Sequence, residues 1–163
     1  MASDLLQQLD EAVASLSSQA AFRREVARLK ALLGHSPDPF VWAELDLSEL
    51  GRRLPAGIRS GWIFVLKADH PSGAHFHPNS VQHMVMIEGA GRSQMGAEER
   101  EMPLFRSEGR TPQETWYVIG ENVPHEFFPR GLDVVVVSFH TCPADELEEV
   151  SCDTGRTRTY HSA

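Results

Sequence analysis

Leu5, Leu9, Val13 and Leu16 recur at helical spacing near the start of the chain, and Phe22, Val26, Leu29 and Leu33 repeat the pattern after Ser17-Ser18. Side chains at that period share one face, so the pattern predicts one or two amphipathic helices. Asp4 and Gln7 stand at capping-box spacing at the start, while Gly34 and Pro37 supply stop signals at the end. The apolar stripe is suited either to the domain's own sheet or to a second subunit.

From Trp42 onward the period changes. A short helical stretch around Ser48 to Leu54 and the breaker Pro55-Ala56-Gly57 lead into runs rich in β-branched and aromatic residues: 62–68, 81–88, 116–119, 126–128 and 133–141. Gly, Pro and Asn clusters punctuate them, the pattern of short antiparallel strands in a sandwich or barrel. Val134 to Val137 is apolar at every position, which predicts a strand covered on both faces. The charged stretch from Ala97 to Pro112 reads as a long loop, Ala144 to Val150 as a short acidic helix, and Arg156 to Tyr160 as a returning edge strand. The chain therefore divides into a helical extension (1–36), a connecting segment (37–57), a barrel (58–141) and a tail (142–163).

Length and charge narrow the function classes. The 163 residues suit one domain with an extension. A formal charge of −8, with only Lys30 and Lys67 as lysines and no polybasic patch, argues against nucleic acid as a partner. No run approaches the ~18 apolar residues of a membrane span, and the start lacks a signal-peptide pattern, so a soluble cytoplasmic protein is expected. Cys142 and Cys152 match no zinc spacing and are expected as free thiols.

Candidate chemistry is concentrated in Ala74-His75-Phe76-His77-Pro78-Asn79-Ser80-Val81-Gln82-His83. His75 and His77 alternate with Phe76, so on an extended strand both imidazoles project to one face, as two ligands of one ion must. His125, after Val123-Pro124 at the mouth of a later strand, is the best third ligand. Three neutral imidazoles suit iron, zinc, copper, nickel or manganese.

At these residues the chain resembles the cupin superfamily. The family's first motif, H-x-H, three or four residues, E, six residues, G, is matched by His75-Phe76-His77, four residues, Gln82, six residues, Gly89. The second, P-x-G-x-x-H, is matched by Gly120 to His125, with the histidine kept, Gly120 in place of the proline and Asn122 in place of the glycine. Pro129 stands where the family often has an asparagine. The resemblance covers roughly residues 58 to 141.

It implies a mainly β fold, a jelly-roll barrel or double-stranded β-helix, here carrying an N-terminal α-helical extension. It also implies His75, His77 and His125 as metal ligands, with Gln82 in the place of the family's glutamate. His83 competes for that fourth place, and because adjacent strand residues face opposite ways only one of the two can point at the ion. An amide leaves the ion's charge uncancelled, so such a centre should attract anionic ligands. Met84, Met86 and Trp116 are expected to line the pocket, with His140, which shares a strand face with Val134, Val136 and Ser138.

By resemblance, three histidines without a carboxylate imply a mononuclear metal-dependent enzyme acting on a small anionic organic molecule, foremost a non-haem iron dioxygenase-like oxidoreductase. Fe2+ is the favoured ion, with Mn2+, Zn2+ and Ni2+ as further choices. The alternatives are a manganese or zinc lyase or isomerase and a non-catalytic module that senses a metal or ligand. A homodimer through the outer sheet is the implied assembly.

Overall fold

A computed structural model describes residues 2–50 and 54–160. Helices α1 (Ala2–Ser17) and α2 (Ala20–Leu33) come first. Strands β1 (Phe40–Glu44), β2 (Ser60–Leu66), β3 (His75–Phe76), β4 (Gln82–Glu88), β5 (Gly91–Met95) and β6 (Glu98–Glu101) follow. A one-turn helix, α3 (Pro112–Thr115), precedes β7 (Tyr117–Ile119), β8 (His125–Pro129), β9 (Val134–His140), β10 (Glu148–Ser151) and β11 (Thr157–Thr159).

The strands form two antiparallel sheets, β1-β2-β9-β4-β7 and β11-β10-β3-β8-β5-β6. Alternation along β2, β4 and β9 explains the layering. Trp62, Leu66, Met84, Met86, Val134 and Val136 form one apolar cluster with Phe127 of the second sheet, the core between the sheets. Ile63, Val65, Val85, Val135, Val137 and Phe139 join a second cluster with Leu9, Val13, Phe22, Val26, Leu29 and Leu33 of the helices. The helical stripe therefore lies on the chain's own five-stranded sheet. It also explains why β9 is apolar on both faces: one is roofed by the opposite sheet and the other by helices.

Several elements differ from the sequence expectation. α1 begins at Ala2, so Asp4 lies inside its first turn and does not cap it. The expected helix at 48–54 is a 3-10 turn over Leu47–Leu50, and positions 51–53 lie outside the described residues. The expected loop at 97–112 opens with β6, a strand of four charged residues paired to β5. β1 and β5 are strands where none was expected; β5 carries Gly, Arg, Ser and Gln, and its register with β8 and β6 supplies what its side chains do not. Residues 144–150 are no helix: the segment ends in β10, which pairs with β3 on one side and β11 on the other. Both sheets thus extend beyond residues 58–141.

Gly89 shows why the first motif ends in glycine. Its φ is +101°, and a Cβ there would lie 2.6 Å from the Asp133 carbonyl oxygen. Asn122, in the glycine place of the second motif, has φ +61° and donates its backbone N–H to the His77 carbonyl at 2.9 Å. Asparagine is the residue that tolerates this left-handed conformation best after glycine, so the motif's backbone survives the change.

Candidate metal centre

β3 is two residues long, held between β10 and β8, and it places His75 directly across from His125. His77 follows at the strand's end. The ring centroids of His75 and His125 are 4.3 Å apart, and those of His77 lie 5.3 and 5.4 Å from them. One ligand atom from each of the three lies within 4.8 Å of the others.

Backbone carbonyls set the tautomers. His75 Nδ1 lies 2.8 Å from the Gly73 oxygen, His77 Nδ1 2.6 Å from Glu148, and His125 Nδ1 2.9 Å from Val123. A carbonyl can only accept, so each Nδ1 carries the proton and each Nε2 keeps its lone pair. Burial pushes all three imidazoles below their ordinary pKa, His77 to about 4, with mutual repulsion adding to it for His77 and His125. They are neutral ligands at pH 7.

Gln82 and His83 part company as strand parity requires. Gln82 lines the cavity beside His75 and His77, whereas His83, in register with Phe139, faces the helical side with Val85. The Gln82 amide nitrogen donates to Ser138 Oγ at 2.9 Å. Ser138 in turn meets His140 Nε2 at 3.1 Å, and His140 Nδ1 meets Ser80 Oγ at 3.0 Å. Both ring nitrogens of His140 are engaged, so it orients Ser138 and Gln82 and has no free nitrogen for an ion. The chain turns Gln82 Oε1 away from Ser138, and that buried oxygen has no hydrogen-bond partner among the described residues.

The cavity holds about 30 Å³ of space, against the ~10–15 Å³ one water needs. His75, His77, Gln82, His140 and Glu149 form its polar end, and Phe40, Phe64, Met84, Phe127 and Tyr160 its apolar wall. Met84 lines the cavity. Met86, on the same face, is packed in the core beyond it. Trp116, expected in the pocket, stands elsewhere: it stacks on Phe139 and donates its indole N–H to Asp10 at 3.0 Å, tying α1 to the sheet's outer face. Its place just before the short strand β7 puts it on the opposite side from Tyr117.

Glu149, Phe40 and Tyr160 were missed. Phe40 and Glu149 come from strands that the sequence did not resolve, whereas Tyr160 closes the segment expected as an edge strand but was not assigned to the pocket. Arg158 sits across from Glu149 on β11, 5.2 Å from the Phe40 ring. Arg92 is committed to Glu99 and Phe128 on the exposed side. Glu88 is paired with Lys30 at the surface.

No family model and no curated protein matches the sequence. Solved structures do. A single-residue variant of salicylate 1,2-dioxygenase from Pseudoaminobacter salicylatoxidans superposes with a TM-score of 0.61 at 14% identity, covering 83% of this chain and 38% of that one. The chain has the cupin fold. The unsubstituted dioxygenase gives a TM-score of 0.56 at 12% identity over 74% of this chain and 33% of its own. The coconut allergen cocosin gives 0.53 at 14% over 71% and 29%. The chain thus spans about a third of the length of these cupin structures. A dioxygenase and an allergen share the fold, so the fold alone does not select a reaction.

The residues fit a divalent ion. Three bare imidazole nitrogens converge, and buried acceptors without partners, His125 Nε2 and Gln82 Oε1, stand with them, the situation a cation relieves. No helix among the described residues is long and apolar enough to cross a membrane.

Proposed function

We propose that the chain is a mononuclear metal-dependent cupin enzyme that acts on a small anionic organic molecule, with an iron dioxygenase-like oxidoreductase as its leading form. The observation that carries this reading is the convergence of three neutral imidazoles, each with Nδ1 committed to a carbonyl, two of which, His75 and His77, line a cavity with a largely apolar wall. A divalent ion bound there supplies positive charge for an anionic oxygen ligand and, if it is iron, one-electron exchange with dioxygen.

The chain's own residues do the rest. His75, His77 and His125 hold the ion as neutral donors. The Ser80–His140–Ser138 chain fixes the Gln82 amide with its oxygen toward the cavity, and Phe40, Phe64 and Phe127 keep water from the polar end. Arg158, at the rim beside Phe40, attracts an anionic group to the entrance. The small cavity favours a substrate of few heavy atoms.

The test is metal content by elemental analysis after anaerobic reconstitution, followed by oxygen uptake with small carboxylates and aromatic hydroxy acids. Wild type should carry close to one ion per chain, and His75→Ala and His125→Ala less than a tenth of that. A folded wild-type protein that takes up no iron, manganese or zinc would sink the reading. Turnover with manganese or zinc and no oxygen uptake would assign a lyase instead.

A further inference from the structure

Glu149 is the acidic side chain of the cavity, and neither of the two histidine-bearing motifs supplies it. It reaches the site because β10 pairs with β3: Val150 sits across from Phe76 and Ser151 from His75, so the alternation that turns Glu148 and Val150 away turns Glu149 inward. The residue is 7% exposed. Its Oε2 lies 3.6 Å from His75 Nε2, yet it has no hydrogen-bond partner among the described residues.

That contact is not an ordinary ion pair. The Gly73 carbonyl holds the His75 proton on Nδ1, so Nε2 and the Glu149 oxygen face each other as two acceptors. Two lone pairs facing each other in a buried site repel, and either a shared proton or a bound cation relieves them. Two ligands about 2.1 Å from one ion are about 3.0–3.4 Å apart at octahedral or tetrahedral angles, near the 3.6 Å between Glu149 and His75. Glu149 stands outside the group of ligand atoms that all lie within 4.8 Å of one another, so a turn of its side chain must complete the set.

We infer that Glu149 is the carboxylate ligand of this metal centre, supplying from β10 the negative charge that Gln82, at the motif position, does not. The inference rests on the metal reading above and changes its chemistry. With Glu149 bound, the centre carries three neutral ligands and one anion, so the ion's net charge falls by one. Gln82 is left to orient what binds beside it. Arg158, opposite Glu149 in register, then balances the carboxylate from the rim.

The experiment compares wild type, Glu149→Gln, Gln82→Glu and the double variant by competition for Mn2+ and Co2+ against a chromophoric chelator, together with the visible absorption of the Co2+ forms. Melting of the metal-free proteins verifies folding. Glu149→Gln should bind at least tenfold more weakly than wild type and change the Co2+ bands, since even an outer partner of a ligand is typically worth ~10–100-fold. Adding Gln82→Glu to Glu149→Gln should recover most of the loss by returning a carboxylate to the motif position.

Unchanged affinity and an unchanged Co2+ spectrum in Glu149→Gln overturn the inference while leaving the three-histidine site standing. A folded wild type that binds neither ion overturns the metal reading, and Glu149's role with it. If Glu149→Gln does not fold, Glu149→Ala is measured by the same two readouts and judged by the same outcomes.

Discussion

Asn122 and Gln82 are the two positions where the chain departs from its motifs, and each has a local explanation. Asn122 holds φ +61°, a conformation costing ~1–2 kcal/mol for residues with a branched Cβ, so Asn122→Val should destabilise by about that much and Asn122→Gly by almost nothing, as read by urea denaturation. Because Asn122 N–H supports the His77 carbonyl, the valine variant should also weaken metal binding, whereas the glycine variant should not. Gln82 owes its orientation to serine and histidine partners on β9 and before β4, none of which is predictable from its own neighbours in sequence. The H-x-H parity was legible because it depends on strand geometry alone. The choice between Gln82 and His83 was not, because both faces of β4 are apolar and only the position of the helices distinguishes them.

At the scale of elements, the helices are part of the barrel's packing. Leu9 is fully buried against the outer sheet face, and beside it Asp10 accepts hydrogen bonds from Trp116 Nε1 and Arg106 Nε at 3.0 and 2.8 Å. Leu9→Ala should therefore cost about 2–5 kcal/mol in unfolding free energy, measured by chemical denaturation, although the residue lies far along the chain from the histidines. A loss below about 1 kcal/mol would mean that the helices are only loosely docked. The helical periodicity was readable, and so were β2, β4, β8 and β9. β6 was not, because Glu98-Glu99-Arg100-Glu101 has no strand-like alternation; its backbone pairing with β5 makes it a strand, and its charges suit an edge that must not pair further. β10 was misread as a helix for a related reason: its partner, β3, is more than seventy residues away.

For the whole molecule, concentrating neutral imidazoles in a dry interior ties stability to pH. His77 has its folded-state pKa near 4, and His125 and His140 are pushed well below the ordinary 6.5, chiefly by burial. The unfolded chain takes up these protons near pH 6.5 while the folded one still refuses them, so the unfolded state binds more protons across that window. The stability they contribute is complete above about pH 6.5 and is lost as the pH falls toward 4, at about 1.4 kcal/mol per pH unit for each histidine. Thermal melting of metal-free protein from pH 8 to 4 should show the midpoint level at first and then dropping below 6.5. A flat profile would mean that the histidines are solvated. Bound metal should raise the midpoint and steepen the acid fall, since protons and the ion compete for the same nitrogens.

The sequence by itself determined what depends on local period: the helical stripe at the start of the chain, the doubly covered β9, the shared face of His75 and His77, and His125 at the mouth of a strand. Short-range geometry imposes those relations whatever the chain does elsewhere. Tertiary structure decided that Gln82 and not His83 faces the cavity, that Trp116 belongs to the helical side, and that Glu149 arrives beside His75. Each depends on which distant strand or helix covers a face. Pairing over long sequence separations is set by burial of the whole apolar surface and leaves no local pattern to read.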